Sequence, residues 1–294
     1  MLEYSPTYGI ALCRYNISNN KQSEILMIKK RYTYHYFNFI FGKYKKNDDK
    51  YLQYLFDNMT FSEKIEILSK NFSKMWYKIF LIDHDYDYNI ITMFHNDNAM
   101  KHYNTKLYYK KKAKFENMFS GNFNKLQNFI NNSTNAETPW EIPKGHMFNY
   151  NKTTFKKLKE PNIIELELDC AKREFEEETC INIKEYNILW QNNAINIVHF
   201  DDNIKFTTNY YLAYLKNNST WLPKVKFNSY DQIIEIEQIK WVSLADINLL
   251  GLNENYKSIL IKTFKTIIKQ FKSHVKSYYY NPKNVITLIN NPID

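Results

Sequence analysis

Between Glu165 and Ile181 the chain concentrates six glutamates, and their spacing leaves little choice of local structure. On a helix advancing about 100° per residue, Glu174, Glu177 and Glu178 stand at i, i+3 and i+4, so three carboxylates share one face. Leu168, Ala171 and Phe175 follow an i, i+3, i+7 pattern on the neighbouring face, which anchors such a helix in a core. The acidic face is then left to look into a cleft. Asn162 followed by Glu165 has the form of a capping box and predicts a helix start near Ile163. Glu176 projects to the far side, into solvent. Like charges at these spacings repel by a few tenths of a kcal/mol per pair, and clustered carboxylate oxygens suit a hard cation such as Mg²⁺ or Mn²⁺.

Upstream lies Trp140-Glu141-Ile142-Pro143-Lys144-Gly145. With Glu165 and Arg173-Glu174-Phe175-Glu176-Glu177-Glu178-Thr179-Cys180-Ile181 it resembles the Nudix box, a Gly, five residues, Glu, seven residues, then Arg-Glu-apolar-any-Glu-Glu-any-Gly-apolar. The resemblance implies that Glu174, Glu177 and Glu178 hold the metal, with Glu165 and Arg173 as an orienting pair. Gly145 becomes the opening glycine, and Lys144 beside it a candidate phosphate contact. Two departures stand out. Gly145 precedes Glu165 by twenty positions where the pattern has six, so a lengthened loop must hold the lysine-rich Lys152 to Lys159 stretch. Cys180 occupies the second glycine position, where glycine lets the chain turn with positive φ, and a distorted helix end is expected.

Similarity reaches beyond the box. Tyr8-Gly9-Ile10-Ala11-Leu12-Cys13-Arg14, Ile25 to Tyr32, Asn58-Met59-Thr60 and Met75-Trp76-Tyr77 resemble segments of Nudix hydrolases of the mRNA-decapping type found in large DNA viruses. That resemblance implies an α+β fold, a Nudix α/β/α sandwich with a mixed sheet interrupted by an inserted, mainly helical domain. It also implies the activity: cleavage of the 5′ cap pyrophosphate of mRNA with Mg²⁺ or Mn²⁺, releasing methylated GDP and 5′-monophosphate RNA. A further carboxylate beyond the box activates water or holds another ion in many such enzymes. Glu235, a few residues before Trp241, is the first candidate for it and Glu237 the substitute. The catalytic set is therefore Glu178, Glu177 and Glu235.

The pattern along the chain agrees with an interrupted domain. Residues 8–14 and 24–29 read as a β-hairpin around Asn16 to Asn20. From about Tyr34 to Asn135 the apolar spacing turns helical, as in Tyr51 to Phe56 and Phe61 to Leu68. β-type patterning returns at Trp140, continues through Asn187 to Trp190 and Thr208 to Leu215, and reaches Ile239 to Val242; Asn255 to Ser273 reads as a closing helix. The expected division is 1–34 and 137–294 for the Nudix domain and 35–136 for the insertion.

A net charge of +9 favours a polyanionic partner, here capped mRNA. The densest basic cluster, Lys101, Lys106, Lys110, Lys111, Lys112 and Lys114, is interleaved with Tyr103, Tyr108, Tyr109 and Phe115, and is the RNA-binding candidate. Part of the lysine excess matches the codon bias of an A/T-rich genome, visible in the abundance of Asn, Tyr and Ile. With 5 glycines there is no phosphate-cradling loop, and the 3 cysteines lack zinc-type spacing and read as reduced thiols of a cytoplasmic protein. No apolar run reaches the roughly 18 residues of a membrane span. Two alternatives use the same features: a hydrolase of diphosphoinositol polyphosphates or nucleoside diphosphate derivatives, and a non-catalytic RNA-binding Nudix-like module.

Overall fold

The computed structural model describes residues 2–3, 5–16, 22–79, 105–119, 123–147, 165–189, 193–201, 204–216, 223–226 and 229–279. In chain order these form β1 (Leu2–Glu3), β2 (Thr7–Asn16) and β3 (Gln22–Lys30), then the helices α1 (Tyr34–Ile40), α2 (Asp49–Asp57), α3 (Phe61–Leu68), α4 (Phe72–Ile79), α5 (Thr105–Phe119) and α6 (Phe123–Asn131). There follow β4 (Trp140–Glu141), β5 (Lys144–His146), α7 (Glu167–Thr179), β6 (Tyr186–Ile188), β7 (Ile195–Asp201), β8 (Ile204–Leu215), α8 (Tyr230–Glu235), β9 (Ile236–Ser243) and α9 (Glu254–Tyr279).

All the described strands belong to one mixed sheet. β2 runs parallel to β8, with Ile10 opposite Tyr211, and antiparallel to β3, which in turn pairs antiparallel with β9. Because side chains alternate across a sheet, the two faces of β2 and β3 read directly from residue parity. Ile10, Leu12, Leu26 and Ile28 pack with Cys170, Ala171 and Phe175 of α7, whereas Ala11, Cys13, Ile25 and Met27 pack with Leu260, Phe264, Ile267 and Phe271 of α9. The result is the expected α/β/α sandwich. α7 starts at Glu167, not near Ile163, and its N-cap residue Leu166 makes no side-chain cap. Glu165 is unavailable as a cap because Arg173 holds its carboxylate at 2.7 Å.

The helices between β3 and β4 enclose a third cluster, built on Tyr36, Phe39, Phe56, Trp76, Phe119 and Leu126. Their starts follow local chemistry. Thr33 caps α1 through Tyr36 N, and Thr60 with Glu63 forms a reciprocal capping box on α3. Glu63 also accepts from Thr33 N at 2.7 Å and Thr33 Oγ1 at 2.9 Å, tying α3 to the point where the chain leaves the sheet. No described helix is long and apolar enough to cross a membrane.

The carboxylate cluster and its cations

β3 ends at Lys30, the next even residue after Leu26 and Ile28, and its side chain therefore emerges on the α7 face of the sheet. Its ammonium lies 2.5 Å from Glu178 Oε1, 3.0 Å from Glu235 Oε2 and 3.6 Å from Glu141 Oε1. Four elements thus meet at one point: β3, β4, the last turn of α7, and the α8–β9 junction. Glu178 also accepts the backbone N–H of Lys144 at 3.0 Å. Lys144 Nζ bonds Glu141 Oε2, and the Tyr34 hydroxyl donates to Glu141 Oε1 at 2.8 Å. The ring of Tyr34 is half-exposed while its hydroxyl reaches into the cluster.

One turn back along α7, Arg173 organises the remaining acids. Its Nε and Nη2 grip Glu165 at 2.7 and 3.2 Å, and Nη1 bonds Glu174 at 2.7 Å and Glu177 at 3.1 Å. Nη2 also reaches His146 O at 3.0 Å, fastening α7 to β5. Beside it, Gly145 makes room for Glu174: a Cβ there would stand 2.0 Å from Glu174 Cδ and 2.2 to 2.3 Å from its oxygens. The glycine of the Trp-Glu-Ile-Pro-Lys-Gly motif is needed for the approach of a carboxylate, and its φ is not in the left-handed region.

Burial first, and then the neighbouring Glu141 and Glu235 charges, outweigh Lys30 and push the Glu178 carboxyl up to about 7. Burial likewise raises Glu174 against the pull of Arg173. Glu141 goes the other way, because against its burial Lys144 and Lys30 hold it below the ordinary range. Lys30 loses solvation on burial, yet Glu178 and the other acids facing it keep it firmly protonated.

Six carboxyl groups (Glu141, Glu165, Glu174, Glu177, Glu178 and Glu235) meet three cations (Lys30, Lys144 and Arg173), so the acids outnumber the cations two to one. Oxygen-rich and with more acids than cations, this donor set fits a hard divalent ion. Among the described residues no three such groups converge closely enough to hold an ion together, since Lys30 and Arg173 stand between them. Glu174 and Glu178 are the inward members. Glu177 turns to Arg173 with its side chain 37% exposed.

Of the outer carboxylates, Glu235 joins the cluster at the end of α8, whereas Glu237 pairs with Lys29 at 3.2 Å, outside it. Lys144, the phosphate candidate, is paired with Glu141. Glu141 and Lys30 went unassigned in the sequence reading, although parity from Leu26 and Ile28 points Lys30 at α7. Cys180 takes the left-handed conformation that a glycine would, with φ 54° and ψ 27°, and its N–H closes on Glu176 O at 2.7 Å. The helix end is regular, contrary to expectation, and the strain sits in one residue.

The basic cluster divides. Tyr108, Phe115, Met118 and Phe119 of α5 are buried, and the Lys114 ammonium donates to Gly42 O at 2.9 Å and Tyr44 O at 2.5 Å, 4.8 Å from the Tyr44 ring centre. Lys114 is thus bonded within the helical unit. Lys106, Lys110 and Tyr109 are exposed, and Lys112 faces Glu116 at 3.9 Å. Burial, and after it the neighbouring Lys114, Lys110 and Lys43 charges, lower the Lys111 pKa. Lys101, Tyr103, Lys152 to Lys159, Asn162, Ile163 and Trp190 lie outside the described residues.

No family model matches the chain. It is similar to mRNA-decapping protein g5R of African swine fever virus strain Badajoz 1971 Vero-adapted, 28% identical over 260 residues, covering 87% of this chain and 90% of that one. Protein g5R of isolate Warthog/Namibia/Wart80/1980 is also 28% identical, over 259 residues, 86% of this chain and 91% of the relative. A C. elegans Ap4A hydrolase structure overlaps 92% of this chain and 99% of its own, but at 11% identity and a TM-score of 0.37 it is too distant to bear on this protein. Along most of its length, this chain is similar to the viral mRNA-decapping proteins.

Proposed function

We propose that this protein is an mRNA-decapping Nudix hydrolase that cleaves the cap's pyrophosphate, releasing methylated GDP and 5′-monophosphate RNA, in the host cytoplasm. The observation that carries the reading is that Glu178 of α7 and Glu235 of α8 share Lys30 while Arg173 holds Glu174 one turn back on α7, in a chain similar over 87% of its length to a decapping protein. Glu174 and Glu178, with Glu177 in the next rank, are the residues to hold Mg²⁺ or Mn²⁺. A divalent ion supplies charge neutralisation on the attacked and departing phosphate oxygens and acidifies water.

The protein's own groups do the rest. Glu235, with its side chain 51% exposed, is accessible to water and takes the proton as the water oxygen bonds to phosphorus and the bridging oxygen leaves with the methylated nucleotide. Arg173 fixes the rotamers of Glu174 and Glu177, and Glu165 fixes Arg173. Gly145 permits the approach of Glu174, and the Lys144 N–H orients Glu178.

Residues 35–136 act as the RNA-holding unit, with Lys106, Lys110 and Lys111 on its charged surface, and Lys112 and Lys114 supporting them. Hydrolysis of cap-labelled RNA beside a free inositol pyrophosphate tests the substrate: cleavage of capped RNA supports this account, and turnover of the inositol compound alone would replace it.

A further inference from the structure

Lys30 is unusual among the described lysines, because its ammonium faces three glutamates from three elements and its side chain is only 10% exposed. It occupies the point where Glu178 and Glu235, the acids that the metal-hydrolase reading needs, come nearest each other. Two cations cannot share that point, since an ammonium at 3 Å from a carboxylate would lie against any divalent ion held by the same oxygens.

Resting on that reading, we propose that Lys30 is an internal counter-ion that competes with the divalent ion for Glu178: it neutralises the acids while no metal is bound and withdraws from Glu178 as the metal enters, which also frees Glu235 to act on water. Several observations converge. The cluster's six carboxyl groups outnumber the three cations Lys30, Lys144 and Arg173. The ammonium lies among Glu178, Glu235 and Glu141, within 3.6 Å of an oxygen of each. Lys30 is the last residue of β3, followed by an irregular link to Thr33, and its unbranched four-carbon stem has several rotatable bonds through which to swing its ammonium off Glu178. Arg173 differs: it is pinned by Glu165 and by His146 O, neither of which binds the ion, so it has no reason to leave.

Lys30 is thereby a positioning residue that sets metal affinity, and on release its charge becomes available to the substrate's phosphates. The competition makes metal binding weaker than the carboxylates alone would give. Once the ion is present, the freed ammonium adds to phosphate binding.

The test titrates Mn²⁺ into the parent, Lys30→Met and Lys30→Arg, reading free Mn²⁺ by electron paramagnetic resonance, without substrate. Lys30→Met should bind Mn²⁺ about tenfold tighter or more, and Lys30→Arg should not. On the parent itself, amine labelling of Lys30 read by mass spectrometry should rise when Mn²⁺ is added, which decides the matter even if Lys30→Met fails to fold. Unchanged or weaker Mn²⁺ binding by folded Lys30→Met, or labelling of Lys30 that stays constant with Mn²⁺, overturns the competition while leaving decapping untouched. A parent protein that binds no Mn²⁺ at all would overturn both this inference and the metal-hydrolase reading.

Discussion

Replacing Gly145 by alanine should damage catalysis far more than folding. The new Cβ would stand 2.0 Å from Glu174 Cδ, where about 3.5 Å is ordinary contact, so the carboxylate must move by roughly 1.5 Å. It is the end of a flexible side chain, and leaving its rotamer costs about 0.5–1.5 kcal/mol. Weakening the part-exposed Arg173–Glu174 pair costs about 1 kcal/mol more. Against this, alanine stiffens the unfolded chain by about 0.4–1 kcal/mol, and Gly145 needs no positive φ. The net loss is about 1 kcal/mol, a fall in Tm of about 2–4 °C. Displacing one preorganised charge from a reaction site, however, lowers turnover by roughly 10²–10³-fold. Thermal unfolding and the hydrolysis rate on capped RNA measure the two together. A variant cleaving within a fewfold of the parent rate would refute the argument that Gly145 exists to admit Glu174. A Tm lowered by much more than 4 °C would place the crowding in the backbone instead.

Cys180→Gly should stabilise the protein by up to about 1 kcal/mol in urea unfolding, because relief of left-handed strain outweighs the added freedom of the unfolded chain; a loss of stability would contradict it. Glu178 has a folded pKa of about 7 against an ordinary 4.5, so its contribution to stability is fully present below pH 4.5 and is lost as pH rises to 7. With chelator present, the parent should lose up to roughly 3 kcal/mol across that window through this group, and Glu178→Gln should show a flatter profile; equal slopes would count against it. Neutralising exposed Lys106 and Lys110 together should reduce the slope of log affinity for single-stranded RNA against log salt by about 1.4 without lowering Tm, and an unchanged slope would remove them from the RNA path. Lys114→Met, by contrast, should cost about 1–3 kcal/mol of stability, since two backbone carbonyls lose a charged donor.

Much of the sandwich is legible in the chain because period-two alternation in β2 and β3 assigns each residue to a face, and α7 and α9 each show one apolar stripe. The same parity points Lys30 at α7, but a lone lysine at a strand end carries no mark of its three partners, which come from residues 111 to 205 positions away. Helix boundaries failed where a side chain had a competing use: Glu165 looks like half of a capping box and serves Arg173 instead. The lysine-rich stretch of α5 has side chains with competing uses as well. Helical periodicity carries Tyr108, Phe115 and Phe119 inward, and Lys114 follows them to backbone carbonyls, so residues adjacent in sequence end on different surfaces. Strand β7 carries no clean alternation, because Ile195 and Ile197 point to one face while the exposed Val198 and Phe200 fall on the other.

The central claim is that these carboxylates cleave capped RNA. Cap-labelled RNA incubated with Mn²⁺ and either the parent or Glu178→Gln, with products separated by chromatography, tests it most directly. The account predicts labelled methylated GDP from the parent and at least a hundredfold less, by the measure of a lost preorganised charge, from the variant. Intact capped RNA with the parent, or equal release by both proteins, would contradict it.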